Sequence, residues 1–150
     1  MSKKKTAILL FDDVEVLDCA GPFEVFSVTN ELKDYSILNV YTVAREKAPV
    51  EARNGFSVNP NYAINEAPEP DILIVPGGIG TRPVLQQHDV LSWIKESAKS
   101  AEKVLSVCTG ALLLAKVGLL DGLKSTTHHS AFEILAEIAP NTEKIGRAHV

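Results

Sequence analysis

The sequence predicts an α/β fold, in which a mostly parallel sheet forms the middle layer of a three-layer sandwich. Four short apolar runs have the length and composition of strands that are buried on both faces. Segments with helical patterns separate these runs, and glycine, proline or aspartate turn signals bound them. A chain of 150 residues, 45% hydrophobic and 23% charged, is long enough for one soluble domain with a sizeable core.

The elements follow one another in the order expected of strand–helix units. Core strands are predicted at 6–11, 36–44, 71–75 and 104–107, with a further short strand at 124–127. Helices are predicted at 21–29, 90–100 and 130–138, and another runs from the turn at residue 108 to about residue 117. Gly21-Pro22 is the opening signal of the first helix, and Phe23, Val25 and Phe26 are its candidate core residues. Asn54-Gly55 marks a hairpin between residues 49 and 60 that is expected to decorate the sheet.

One cysteine stands directly at the end of the fourth core strand. Because a helix follows Cys108 with no loop between, the chain must turn sharply there, and Thr109, Gly110 and Ala111 are small enough to pack closely. A helix N-terminus lowers the pKa of a thiol and favours the nucleophilic thiolate. A free cysteine is also commonly buried as a small hydrophobic residue. Position alone leaves the nucleophilic and the structural interpretation of Cys108 about level.

Two other segments leave the sheet at the edge where Cys108 is expected. Ligands of parallel sheets bind outside the carboxyl ends of the strands, so these segments are candidate parts of a site. Asp18 lies after the first strand and is either a carboxyl partner of the thiol or a helix cap, with the cap favoured by sequence alone. Gly77 and Gly78 follow the third core strand, and with the N–H of Thr109 they either stabilise a developing anion or form a simple tight turn.

The remaining motifs are weaker signals. His128 and His129 follow the short strand at 124–127, and we expect one ring to face the pocket and the other to face solvent. No Cys, His or carboxylate stands at zinc-type spacing beside them, so a metal site is not expected. The glycine loop at 76–80 does not fit G-x-G-x-x-G, which argues against a dinucleotide phosphate site.

The bulk properties exclude several classes of protein. A net charge of −4 gives no electrostatic reason to expect nucleic acid or an anionic membrane as partner. No apolar run approaches the roughly 20 residues of a membrane span, and the N-terminus lacks the pattern of a signal peptide. Two cysteines, Cys19 and Cys108, form no disulfide framework. The sequence therefore predicts a cytoplasmic protein with reduced thiols.

Taken together, these motifs resemble the ThiJ/PfpI superfamily, which is related to class I glutamine amidotransferases and to the parkinsonism-associated protein deglycase. The resemblance extends from Thr6 to about Ile138 and rests on the segments FDDVEVLD (11–18), AGP (20–22), VPGG (75–78), SVCTG (106–110), GLLDG (118–122) and TTH (126–128). It implies a flavodoxin-like sandwich with a cysteine nucleophile elbow and a sheet that is incomplete at the C-terminus. Homodimers are common in this superfamily, so the full-length protein is expected to be a homodimer.

Within the superfamily, Asp18 and the Thr109 that follows the cysteine are similar to isocyanide hydratases and to the N-terminal sensor domains of AraC-type regulators. The hydratase resemblance implies that Cys108 attacks the isocyanide carbon to form a thioimidate, while Asp18 holds the thiol and exchanges protons. The N–H groups of Gly78 and Thr109 would orient the reacting atoms, water would release an N-substituted formamide, and no cofactor is required.

The regulator resemblance implies instead that the same pocket binds a small-molecule ligand, and that a separate helix-turn-helix region, not this segment, binds DNA. A redox-sensing cysteine or a deglycase-type member is a third interpretation.

The last six residues, IGRAHV at 145–150, match the translation of a widely used short-read sequencing adapter. We therefore expect a partial ThiJ/PfpI-like domain at 1–144, with 145–150 arising from adapter read-through.

Overall fold

A computed structural model describes residues 2–145 and contains a five-stranded parallel sheet. Its strands are β1 (Lys4–Leu10), β2 (Leu38–Ala44), β5 (Tyr62–Ala63), β6 (Ile72–Val75) and β7 (Lys103–Ser106), in the spatial order β5-β2-β1-β6-β7. The helices are α1 (Val16–Glu31), α2 (Thr81–Val84), α3 (His88–Ser100), α4 (Ala111–Lys116) and α5 (Phe132–Ile138). The α/β prediction with a mostly parallel sheet is confirmed.

Two small sheets lie beside the main one. Strands β3 (Val50–Glu51) and β4 (Ser57–Val58) form an antiparallel hairpin, and β8 (Lys124–Ser125) pairs in parallel with β9 (Glu143–Lys144). The predicted turn at Asn54-Gly55 is confirmed, because both residues take positive φ angles, 59° and 82°. The hairpin decorates the main sheet and does not join it, as the sequence predicts.

Strand β1 lies at the centre of the sheet and organises the core. Its apolar run is buried on both faces, and Ala7, Ile8 and Leu9 have no exposed surface. The chain leaves β1 towards β2 on one side and later returns to add β6 on the other. This reversal of strand order places a crevice at the carboxyl ends of β1 and β6, where the loops after both strands meet.

Helix α1 differs from its prediction in both its start and its buried face. It begins at Val16, so Pro22 lies inside it and cannot donate a hydrogen bond to the carbonyl of Asp18. Of the three predicted core residues, only Phe26 packs against the core, whereas Phe23 and Val25 are exposed. Apolar side chains occur all around α1, so the sequence offers no single stripe from which to read the buried face.

Strand β7 is an edge strand of the described sheet and not the fully buried strand that its apolar composition suggests. It pairs with β6 alone, and Leu105 is 40% exposed. The α-helix after β7 is shorter than predicted, because one 3₁₀ turn over Cys108–Gly110 precedes α4. Gly118, at φ 82°, follows the C-terminal end of α4.

Within residues 2–145, no helix is long and apolar enough to cross a membrane. Residues 146–150, which make up most of the segment interpreted as adapter read-through, lie outside the described residues.

Alanine should have opposite effects on the free energy of unfolding at two of the glycines, Gly110 and Gly21. A methyl group at Gly110 would meet the carbonyl oxygens of Val75 at 2.0 Å and Pro76 at 2.9 Å, whereas one at Gly21 would meet nothing within 4 Å. We expect Gly110→Ala to lower the free energy of unfolding by at least about 2 kcal/mol, because backbone atoms must move to admit the methyl. We expect Gly21→Ala to raise it by about 0.5–1 kcal/mol, because alanine is the better helix former. Urea unfolding measures both, and a Gly110→Ala chain as stable as wild type would contradict the close packing.

Candidate active site

Cys108 occupies a sharp turn between strand and helix. Its φ angle is 55°, in the left-handed region that side chains other than glycine rarely adopt. Backbone hydrogen bonds hold the turn on both sides: Val107 N–H donates to the Val75 carbonyl at 3.1 Å, and Gly110 N–H donates to the Val107 carbonyl at 2.9 Å. The side chain is partly buried. Strained backbone that surrounding bonds maintain is typical of functional positions.

The glycine loop after β6 presses directly against this turn. A methyl at Gly77 would lie 2.5 Å from the backbone nitrogen of Thr109 and 3.0 Å from Cβ of Cys108. Gly78 has φ 118°, and a methyl there would lie 2.5 Å from the nitrogen of Glu15. Only glycine admits the β1 exit loop, the glycine loop and the cysteine turn at these separations.

Thr109 joins the two loops through its side chain. Its buried Oγ1 accepts a hydrogen bond from the Gly78 N–H at 2.9 Å and lies 3.2 Å from the Gly78 carbonyl, to which it donates. The Gly78 N–H is therefore already engaged, which corrects the expectation that it faces the reacting atoms. The Thr109 hydroxyl comes this close because Gly77 has no side chain: a methyl there would lie 2.7 Å from Thr109 Oγ1.

Neighbouring groups shift the pKa of the Cys108 thiol in opposite directions. Burial raises its pKa above the ordinary value, the backbone N–H and side chain of Thr109 lower it, and the charge and hydrogen bonding of Asp18 raise it again. The expected lowering by N–H groups at the turn is present but outweighed, so the net direction is upward. The resting thiol therefore keeps its proton at neutral pH and needs a base to become a nucleophile.

Asp18 provides a carboxylate at this thiol. It lies in the first turn of α1, whose N-cap is Glu15, so the interpretation of Asp18 as the capping residue is wrong. Its Oδ2 atom is buried and has no hydrogen-bond partner among the described residues. A buried carboxylate oxygen without a partner is costly and uncommon, which marks it as available to a substrate, a proton or water.

The predicted His128 lies at the surface. It is exposed, and its Nδ1 contacts Ser130 Oγ at 2.8 Å and accepts from the Ser130 backbone N–H at 3.3 Å. The His128 and His129 rings contact each other in a tilted arrangement, with their centroids 4.1 Å apart and their planes at 37°. The contact with the cysteine turn comes from the residue before them: Thr127 Oγ1 donates to the Cys108 carbonyl at 3.1 Å. No sequence signal singled out Thr127 from its neighbours.

Cys19 is the second free cysteine and occupies a different environment. It is buried in α1, its Sγ lies 3.2 Å from the Val16 carbonyl, and burial raises its pKa. It lines an apolar cavity of about 250 Å³, and a larger cavity of about 410 Å³ lies at the carboxyl ends of β1 and β2. Neither cavity is lined by Cys108. Among residues 2–145, no group of three or more His, Cys, Asp or Glu side chains could hold a metal ion.

Comparison with known proteins places this geometry in a family. The sequence matches the DJ-1/PfpI family over residues 4–146. It is 34% identical to isonitrile hydratase of Pseudomonas putida over 127 residues, which are 85% of this chain and 53% of that protein. It is 29% identical to the HTH-type transcriptional regulator GbdR of Pseudomonas aeruginosa over 133 residues, which are 88% of this chain and 36% of the regulator.

A solved structure shows the same fold. The crystal structure of a ThiJ/PfpI family protein from Pseudomonas syringae matches with a TM-score of 0.85 and 28% sequence identity, covering 98% of this chain and 59% of that one. The chain thus spans about half the length of the hydratase and about a third of the regulator. From its parallel sheet, its glycine loop and its cysteine turn, as well as from its sequence, this chain belongs to the DJ-1/PfpI family.

Proposed function

We propose that this chain carries the catalytic site of a cysteine-dependent enzyme that hydrates isocyanides. The observation that carries the proposal is the pairing of the Cys108 thiol, at a strained turn, with the Asp18 carboxylate, whose Oδ2 has no partner among the described residues. This pair supplies a nucleophile and its base within one partly buried site. The identity to isonitrile hydratase, 34% over most of this chain, supports the choice of substrate class.

The first step makes a covalent bond to sulfur. Asp18 takes the proton of the Cys108 thiol as the sulfur attacks the terminal carbon of the isocyanide R–N≡C. Asp18 then returns that proton to the same carbon, which leaves the thioimidate R–N=CH–S–Cys108. The carboxylate begins and ends this step charged, so the site needs no external proton source.

The second step uses one water molecule. Water adds to the thioimidate carbon, the nitrogen gains a proton, and the C–S bond breaks to release the formamide R–NH–CHO. Asp18 passes the remaining proton back to sulfur, which restores the thiol. The sum is R–N≡C plus water giving the formamide, with nothing oxidised or reduced. The Thr109 N–H stabilises negative charge on sulfur in both steps, because it acts on the charged form of the thiol.

A ligand-sensing domain is the second candidate function. The identity to the regulator GbdR over 88% of this chain favours it, since the regulator is a longer protein that includes the matched region. In that case the same cysteine site would bind a small molecule without turning it over. Redox sensing or deglycase chemistry at Cys108 is a third candidate and uses the same activated thiol.

The cytoplasm is the proposed location, because the nucleophile must remain a reduced thiol. A second copy of the chain is the proposed macromolecular partner. Helix α1 exposes four large apolar side chains to solvent, Leu17, Phe23, Val25 and Val28, and Leu32 directly after the helix is exposed as well. Leu17, Val25, Val28 and Leu32 lie within about 80° of one another around the helix axis at 100° per residue. Pairing of this face with the same face of a second copy across a two-fold axis would remove apolar surface from water.

Turnover of an isocyanide tests the proposed reaction. In the protein expressed from its complete reading frame, we expect an aryl isocyanide to yield its formamide, and Cys108→Ser to abolish that yield. Cys19→Ser is the matched control and should retain activity, because the Cys19 sulfur lies against the Val16 carbonyl and takes part in neither proposed step. Chromatography of the formamide measures both rates. Equal turnover by wild type and Cys108→Ser would refute the role of the cysteine, and stoichiometric binding without turnover would favour the sensor.

Removing the charge of Asp18 should move thiol reactivity and turnover in opposite directions. Because Asp18 raises the pKa of Cys108, Asp18→Asn should shift the pH midpoint of Cys108 alkylation by iodoacetamide downward. Turnover should nevertheless fall by about 10²–10⁴-fold, because the base is lost. Asp34→Asn, which removes a charge beyond the far end of α1 and about 20 Å along its axis, should change neither. An unchanged midpoint in Asp18→Asn would contradict the pairing.

If the exposed apolar face of α1 forms the dimer interface, a charge placed on it should weaken the dimer. Val25→Glu should weaken the dimer by at least about tenfold, which corresponds to ~1.4 kcal/mol, because the interface would have to bury a charge. Leu123→Glu places the same charge on another exposed apolar residue and should leave the dimer intact. Analytical ultracentrifugation measures both. A Val25→Glu protein that dimerises as tightly as wild type would place the interface elsewhere.

A further inference from the structure

Thr127 makes a hydrogen bond that the proposed chemistry does not yet use. Its Oγ1 donates to the carbonyl of Cys108 at 3.1 Å, although 19 residues separate the two along the chain. Thr127 follows β8 and is partly buried. The carbonyl that accepts this bond belongs to the peptide group that joins Cys108 to Thr109.

That peptide group links the threonine hydroxyl to the thiol. The Cys108 carbonyl and the Thr109 N–H belong to one rigid plane, so a bond that fixes the carbonyl also fixes the direction of the N–H. The same N–H acts on the Cys108 sulfur and favours its charged form. A donor on the carbonyl also polarises the peptide and strengthens the hydrogen bond that its N–H donates.

The segment that carries Thr127 is anchored on both sides. Before it, Ser125 Oγ lies 2.6 Å from Thr142 Oγ1, and β8 pairs with β9. After it, Ala131 and Leu135 are fully buried and pack against α4, the helix that follows the cysteine turn. The hydroxyl of Thr127 is therefore presented to Cys108 from a fixed frame, which suits it to hold a strained backbone angle.

We propose that Thr127 is a positioning residue, which holds the Cys108–Thr109 peptide group so that the Thr109 N–H points at the sulfur. The inference rests on the proposed function only in taking Cys108 as the reactive group. It predicts that loss of the hydroxyl makes the thiolate harder to form without making the thiol less accessible.

Alkylation of Cys108 across a range of pH tests this role without any isocyanide. Thr127→Val keeps the shape of the side chain and removes the hydroxyl. We expect its alkylation midpoint to rise by about half a pH unit, which slows the reaction at neutral pH by about threefold, with the plateau rate at high pH unchanged. Thr127→Ser restores the hydroxyl and should restore the wild-type midpoint. Asp18 is the charged group that acts on the thiol among the described residues, and it is present in every variant.

The matched control is Thr29→Val. Thr29 Oγ1 also donates to a backbone carbonyl, that of Val25 at 2.7 Å, but on exposed α1. Its loss should leave the Cys108 midpoint unchanged. Thr127→Ala removes the same hydroxyl in a smaller side chain and takes the place of the valine variant if the latter does not fold, as judged by circular dichroism.

An unchanged midpoint in a folded Thr127→Val or Thr127→Ala chain would overturn the proposal, as would a rise that serine does not reverse or that Thr29→Val equals. A reversible rise confined to Thr127 would support it even if the protein hydrated no isocyanide. Failure of the positioning role and failure of the proposed reaction are therefore separate results.

Discussion

The left-handed backbone at Cys108 is the constraint on which the rest of the site depends. A φ of 55° turns the chain from the end of β7 into the 3₁₀ turn that leads to α4, at the carboxyl edge of the sheet. The conformation is costly for a residue with a side chain, so neighbouring groups must maintain it. Val75 and Gly78 do so from the third core strand and its loop, and Thr127 does so from the far side. The absence of side chains at Gly77 and Gly110 is what lets these groups come close enough.

The electrostatics around the Cys108 sulfur favour a thiol that ionises when a base acts on it over a permanently charged thiolate. Burial and the Asp18 carboxylate both oppose thiolate formation, whereas the Thr109 N–H favours it. A thiol with a raised pKa is intrinsically more nucleophilic once ionised. Its thiolate fraction at neutral pH is small, but a general base beside it can take the proton as the sulfur attacks. The same balance would protect the resting sulfur from oxidation, because oxidants react with thiolates.

Much of the fold could be predicted because its signals are local. Apolar runs indicated the strands, and Asn54-Gly55 indicated its hairpin through the φ angles that these residues tolerate. The turn at Cys108 was predictable from the lack of loop residues between strand and helix, while its catalytic role stays a prediction. Asp18 was assigned to the correct edge of the sheet, although the capping interpretation failed because the helix begins earlier than Pro22 suggests.

What could not be predicted depends on contacts between residues distant in sequence. The Thr109 hydroxyl takes the Gly78 N–H across 31 residues, and Thr127 reaches Cys108 across 19. Neither hydrogen bond can be recognised from the residues next to its partners in the sequence. Histidine is the more conspicuous chemical group in this segment, yet the His128 ring contacts Ser130 at the surface and Thr127 makes the contact with Cys108. The predicted buried face of α1 is wrong for Phe23 and Val25, because apolar residues surround that helix and periodicity gives no direction.

The different exposure of the two cysteines makes thiol labelling a probe of whether the chain is folded. Cys108 is partly exposed, whereas Cys19 is buried with its sulfur against the Val16 carbonyl. A brief treatment with a thiol reagent therefore labels one equivalent per native chain. The second equivalent becomes available only when the first turns of α1 open, so its rate of labelling reports the local stability of the helix that carries Asp18.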